Sequence, residues 1–230
     1  MALILYSHPL ASYCWKVLIA LYENDTAFTH QSVDLGDPAA KAAFTALWPT
    51  AKIPLLQDTS RNRVVPEASI QIEYLDQHYP GRTRLLPSAP ELCLEARLWD
   101  RIFDAYVMTP MQDIVANRLR DERERDPRRV TDAEAALRMA YDLIDMQVIE
   151  REWAAGASFS LADCAAAPSL FYASTLVPFD ASHPHLAAYF ERLLARPSVA
   201  RTIAEARPYF RFYPFQESIP ARFLASAPGS

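Results

Sequence analysis

The chain has 230 residues, 23 Lys+Arg against 28 Asp+Glu, and so a formal net charge of −5. It holds 4 glycines against 18 prolines, and Gly36, Gly81, Gly156 and Gly229 stand far apart with no G-x-G anywhere. That spacing excludes a phosphate-cradling P-loop or a dinucleotide fingerprint, and the acidic balance argues against a nucleic-acid surface.

At this length the chain is one large domain or two small ones. Its 51% apolar and 22% charged residues are those of an ordinary soluble globular protein. Cys14, Cys93 and Cys164 make neither a disulfide framework nor a zinc site, which predicts a reducing compartment and no metal. The start MALILYSHPL lacks the basic region of a secretory leader. The charge-free stretch from Cys164 to Phe179 is too short to span a bilayer and contains Pro168 and Pro178. The arginine-rich run Arg118 to Arg129 is interrupted by Asp121, Glu122, Glu124 and Asp126 and reads as a solvated helix end and turn. These features together predict a cytoplasmic protein that binds neither membrane nor nucleic acid.

In chain order, residues 3–7 read as a short buried strand. After Pro9, residues 12–23 carry apolar side chains at helical spacing. Residues 28–34 alternate as a strand, so the chain opens β-α-β. Asp37-Pro38 starts a helix that runs to about Leu47. Strands at 54–57 and 63–65 flank a polar turn, an antiparallel hairpin. Residues 67–78 form a helix with Ile70, Tyr74 and Leu75 on one face. The first 80 residues are therefore β-α-β-α-β-β-α. Residues 81–90 belong to a proline-rich connector, and 91–230 read as all-helical. Ser88-Ala-Pro-Glu91 and Thr131-Asp-Ala-Glu134 have capping-box patterns that open helices. The first carries Leu94, Leu98, Ile102 and Tyr106 on one side, and Pro110 interrupts or kinks it; the second runs to about Trp153. Ser160-Leu-Ala-Asp163 is a third start signal, with further helices near 184–195 and 198–206. Segment 207–230 is poorly periodic.

Three places suit chemistry. The first turn of the first helix, Ala11-Ser12-Tyr13-Cys14, suits a bound thiolate, because unpaired N–H groups and the helix dipole favour an anion there. Lys52-Ile53-Pro54 puts an X-Pro bond at the start of a strand. Pro66-Glu67-Ala68-Ser69 sets an acid and two backbone N–H groups at a strand-to-helix junction, where an ammonium and a carboxylate find partners.

Together the segments LYSHPLASYCWKVLIALYE (5–23), AKIPLL (51–56), VVPEASIQIEYLDQHYPG (64–81), FSLADCAAAPSL (159–170) and HPHLAAYFERLLARPSVARTIAEARPYF (183–210) resemble the cytosolic glutathione transferases. The resemblance implies an α/β thioredoxin-like N-terminal domain followed by an all-α domain, with a cis peptide before Pro54. It implies that the backbone of Ile53 pairs with the cysteinyl unit of glutathione, and that Glu67 meets its γ-glutamyl group. Lys52 is a candidate for the glycine carboxylate. The next family position, normally Ser, is Ala68 here, with Ser69 one place later; the hydroxyl contact to the γ-glutamyl carboxylate passes to Ser69 only in a shifted register. Ser160 and Asp163 match a capping box whose role is structural.

For the residue that activates the thiol, Ser12 is the first choice. Tyr6 at the end of the first strand and Cys14 on the first helical turn are the weaker candidates; Ser7 and His8 come after them. Tyr106, Met108 and Met111 are candidates for the wall of the acceptor site, as an adaptable apolar surface. The expected function is conjugation of the glutathione thiolate, as co-substrate, to a small hydrophobic electrophile, in a homodimer. Ala11 and Ala68 leave two alternatives open: another glutathione-dependent enzyme such as a zeta-like isomerase, and a binding or stress protein with little turnover.

Overall fold

The computed structural model describes residues 2–224. Strands β1 (Leu3–Ser7), β2 (Thr29–Ser32), β3 (Leu55–Asp58) and β4 (Arg63–Val65) form one sheet in the order β2-β1-β3-β4. β1 is parallel to β2 and antiparallel to β3, and β3 and β4 are antiparallel. The parallel pair is joined by helix α1 (Ser12–Glu23), and α2 (Pro38–Leu47) connects β2 to β3. The hairpin turn is built by Asp58, whose Oδ1 accepts from the Ser60 and Arg61 backbone amides at 3.0 and 3.1 Å. Asn62 then takes φ 49°, a conformation that Asn tolerates better than most residues. α3 (Ala68–His78) closes the β-α-β-α-β-β-α unit, a small mixed sheet with helices. Its buried face is Ala68, Gln71, Ile72, Tyr74 and Leu75; Ile70, expected on that face, is 52% exposed, because Gln71 turns inward instead.

The connector is pinned rather than loose. The Leu85 amide donates to Asp76 at 2.9 Å and the Thr83 amide to Asn24 at 2.8 Å. A Cβ at Gly81 would come 2.4 Å from the Asn24 side chain, so this close approach needs glycine.

The rest is helical: α4 (Pro90–Ile102), a π-helical segment (Phe103–Met108), α5 (Thr109–Leu119), α6 (Pro127–Gln147), α7 (Leu161–Leu176), α8 (Pro184–Ala195), α9 (Pro197–Ala206) and a short α10 (Ala221–Leu224), with 3-10 turns at 122–124, 207–212 and 216–218. Two expected starts move. α4 opens at Pro90 with Ala89 as a cap that has no side-chain acceptor, so Ser88 and Glu91 make no capping box. α6 opens one turn early, at Asp126, whose carboxylate accepts from the Arg128 and Arg129 amides; Thr131 lies inside the helix and donates to the Pro127 carbonyl. α6 ends at Gln147 rather than Trp153. The capping box of Ser160 and Asp163 forms, with the Ser160 amide on Asp163 Oδ2 at 2.8 Å. The distortion expected at Pro110 takes the form of the π segment just before it, which relieves the clash of the proline ring with the carbonyl four residues back.

α7 is buried on nearly every side, as a helix apolar all round must be. It meets α1 through Trp15, whose ring lies 4.9 Å from Phe171 and 5.1 Å from Tyr172. The next residue, the wholly buried Lys16, points at the helical half. Its Nζ lies 2.5 Å from Asp100 Oδ1 and 2.9 Å from Asp104 Oδ2. Nζ also donates to Ser69 Oγ at 2.9 Å, and Ser69 Oγ donates to Asp100 Oδ2 at 2.8 Å. Removing the ammonium strands two buried carboxylates. Lys16→Met is expected to destabilise the protein by about 3–5 kcal/mol, read as a lowered urea midpoint. An unchanged midpoint would show that water replaces the ammonium there.

Candidate active site

Two cavities open where the halves meet. One, of about 520 Å³, is polar; Lys52, Ile53, Pro54, Glu67, Ala68 and Ser69 line it from the sheet side. Arg97, Asp100, Arg101 and Asp104 line it from α4 and the π segment. The structure thus brings together every residue expected to hold glutathione. The other cavity, of about 570 Å³, is apolar, walled by Leu10, Met111, Val115, Leu119, Phe212 and Pro214 among others. Only Tyr13, Ile53 and Gln112 line both, so these three mark the junction.

Each polar-site residue is set by local backbone. The Ile53–Pro54 peptide is cis. The Pro54 carbonyl accepts from the buried Gln71 amide at 2.8 Å, which ties the proline to α3. Ile53 lies before β3 begins, and its own N–H and C=O pair with no backbone group among the described residues. It therefore presents a free edge to an extended ligand. Glu67 caps α3 with φ 65° and ψ 118°. A non-glycine residue in the left-handed region costs about 1–3 kcal/mol, and such strain is characteristic of functional sites. The Glu67 carboxylate is exposed and has no partner among the described residues.

Ser12 is the first residue of α1, after Ala11 at the cap, and its hydroxyl makes no hydrogen bond among the described residues. It lines the apolar cavity beside the free N–H groups of the first turn. His8 lines the same cavity; burial lowers its pKa, and its Nδ1 accepts from the Leu10 amide at 3.2 Å. Neutral His8 is thus a loop-fixing acceptor.

Several expected residues lie elsewhere. Tyr6 donates to Gln57 Oε1 at 2.9 Å and packs on Phe44, so strand alternation turns it away from both cavities. Ser7 is fully buried. Cys14 is fully buried, and burial pushes its thiol up to about 12, which removes it as a nucleophile. Ser69 keeps its hydroxyl on Lys16 and Asp100, so it does not stand in for the serine missing at Ala68. Met111 lines the apolar cavity, but Met108 is fully buried and Tyr106 is 49% exposed, and neither lines either of these two cavities. Tyr106 and Met108 both belong to the π segment, whose turn differs from that of the α5 helix carrying Met111.

Other lining residues were given no role in the sequence reading. Tyr13 is one; burial and the nearby Asp104 push its phenol up to about 12, so it stays protonated. Gln112 and Arg101 are others, and Phe212 comes from the poorly periodic segment. The signal available for Tyr13 and Gln112 was adjacency to Ser12 and Met111.

The N-terminal-domain family model of glutathione S-transferases matches residues 5–83, and the C-terminal-domain model matches residues 99–197. The chain belongs to the glutathione S-transferase family. A glutathione S-transferase of Silene vulgaris is 25% identical over 213 residues, covering 89% of this chain and 98% of that one. The crystal structure of a glutathione S-transferase from Methylobacterium radiotolerans, in complex with glutathione sulfonate, superposes with a TM-score of 0.75 at 29% identity, covering 87% of this chain and 93% of that one. The glutathione transferase URE2P8 of Phanerochaete chrysosporium shares the fold with a TM-score of 0.81 at 20% identity, over 91% of this chain and 97% of that one. The thioredoxin-like domain and the helical domain of the family are thus both present.

The three thiols test the burial pattern. Cys14 and Cys164 are buried and Cys93 is half-buried. Iodoacetamide at pH 8 should label Cys93 in the native protein and reach Cys14 and Cys164 only after denaturant is added, as read by peptide mass spectrometry. Native labelling of Cys14 would restore it as a candidate nucleophile.

Proposed function

We propose that the chain is a glutathione transferase that conjugates the glutathione thiolate to a small apolar electrophile. The observation that carries this is the meeting of a polar and an apolar cavity at Tyr13, Ile53 and Gln112, beside the first turn of α1. Glutathione lies extended along Ile53, with its γ-glutamyl ammonium at Glu67 and its glycine carboxylate at Lys52. Its sulfur then falls near Ser12. A free thiol has a pKa of about 8.5, and a shift of one to two units needs about 1.4–2.7 kcal/mol. One charge-assisted hydrogen bond from Ser12 plus the helix dipole is of that size. The thiolate attacks the electrophilic carbon, a carbon–sulfur bond forms, and the leaving group departs with its electron pair. The apolar cavity, with Met111 on its wall, holds the acceptor. No step calls for a metal.

The reaction belongs in the cytoplasm, where reduced glutathione and unpaired cysteines coexist. Conjugation of this kind serves detoxification. A second reading, a glutathione-binding protein with little turnover, is favoured by Ala11, which offers no hydroxyl at the α1 cap. Retention on immobilised glutathione with conjugation of a chlorinated nitroarene is the expected outcome; retention without turnover would support the second reading. Ser12→Ala should raise the thiol pKa of bound glutathione by about one unit, seen in the thiolate absorbance. An unchanged titration would remove Ser12 from the role.

We also propose a homodimer. Leu94 and Leu98 on α4, and Met139 and Met146 on α6, are 63%, 50%, 58% and 63% exposed. The two helices are neighbours, because Gln147 donates to Glu95 at 3.1 Å. An apolar band of this kind marks an interface. Sedimentation velocity should give twice the monomer mass, and Leu98→Glu should shift it toward monomer. A monomeric wild type would overturn the assignment.

A further inference from the structure

Six charged side chains line the polar cavity: Lys52, Glu67, Arg97, Asp100, Arg101 and Asp104. Three are already engaged. Arg97 makes a two-pronged pair with Glu73 of α3, at 2.9 and 2.7 Å. Asp100 and Asp104 share the Lys16 ammonium. The other three, Glu67, Lys52 and Arg101, make no ion pair and no side-chain hydrogen bond among the described residues. The cavity therefore presents one free negative and two free positive groups. Glutathione carries one ammonium and two carboxylates, the opposite set. Glu67 answers the ammonium and Lys52 the glycine carboxylate, which leaves the γ-glutamyl carboxylate for Arg101.

The placement of α4 agrees with that match. Ser69 Oγ donates to Asp100 Oδ2 at 2.8 Å, and Arg97 reaches Glu73, so α4 is tied to α3 at two levels. Arg101 is the residue next to Asp100 and lines the same cavity as Glu67 and Ala68. At Ala68 no hydroxyl is available, and the Ser69 hydroxyl is committed to Lys16 and Asp100. A carboxylate at the start of α3 thus has backbone N–H groups but no side-chain donor from α3 itself. Arg101 is also not spent on the spare negative charge of the buried cluster, since it pairs with neither Asp100 nor Asp104. We propose that Arg101, from the helical domain, is the side chain that binds the γ-glutamyl α-carboxylate of glutathione, in place of the serine hydroxyl that Ala68 lacks. A guanidinium suits this duty, because its planar fork matches a carboxylate.

The inference rests on the glutathione reading above, and calorimetry on the full chain separates the two. The probes are glutathione and 4-aminobutanoyl-cysteinyl-glycine, which keeps the ammonium and the glycine carboxylate but lacks the α-carboxylate. Arg101→Gln should weaken glutathione binding about ten- to a hundredfold, the range for a hydrogen-bonded charge. The same variant should leave the affinity for the analogue unchanged. In wild type the analogue should bind more weakly than glutathione by at least that factor, because it also gives up the backbone N–H groups of α3. Ala68→Ser placed in the Arg101→Gln background should recover part of the loss, by returning the hydroxyl. Equal weakening of both ligands, or no weakening of either, would overturn the assignment to Arg101 while leaving the glutathione reading standing. No binding of glutathione to wild type would overturn both. Arg101 is exposed, so its replacement should not move the urea midpoint.

Discussion

The Lys16 ammonium is the constraint on which the rest of the molecule depends. It leaves α1 on the side away from solvent and ends between Asp100 and Asp104, with Ser69 as a third partner. Three elements from both halves of the chain thus converge on one buried nitrogen. A buried ion pair is weak evidence for net stability, because desolvation offsets much of the attraction. Its consequence here is position. An unpaired charge at that depth costs so much that α1, α3 and α4 have little freedom to slide. The first turn of α1 and the start of α3 are therefore held against α4, and the two cavities open along that seam.

The seam divides the chemistry by polarity. On one side, the free backbone of Ile53, the strained Glu67 and the cations Lys52 and Arg101 make a surface for a charged, extended peptide. On the other, Leu10, Met111, Val115, Leu119 and Phe212 make a surface for an apolar partner. The proposed transfer needs both surfaces within van der Waals reach of one sulfur, and Tyr13, Ile53 and Gln112 are the residues that line both cavities. Burial decides which nucleophiles and donors remain. It pushes the Cys14 thiol up to about 12 and keeps the Tyr13 phenol protonated, while Ser12 keeps an uncommitted hydroxyl.

Much of the polar site was legible because its parts are local. Ile53-Pro54 and Glu67-Ala68 lie at strand and helix starts, and punctuation by proline marks such positions. Of the apolar site, the sequence named the residues at the α1 turn and Met111. Its other walls come from Leu10, the far turns of α5 and the 3-10 segment around Phe212, which lie far apart in the chain. Tyr106 and Met108 were chosen with Met111 as adaptable residue types on one stretch, and residue type does not say which way the π segment from Phe103 to Met108 turns each side chain. Tyr6 and Ser69 are different cases. Both are correctly placed on their elements, but Gln57 claims one hydroxyl and Lys16 with Asp100 the other.

The amino-acid sequence by itself determined the element order, the absence of any glycine-built phosphate loop, and a set of residues that the fold gathers around one polar cavity. These follow from periodicity, proline placement and backbone chemistry, which act over a few residues. Tertiary structure alone decided which hydroxyls and charges stay free. Freedom is a property of neighbours: Lys16 claims Asp100, Asp104 and Ser69, Glu73 claims Arg97, and Arg101 is left facing the cavity. No spacing rule contains that information, because each partner comes from a distant part of the chain and hydrogen bonds are satisfied by whichever group packing brings within reach.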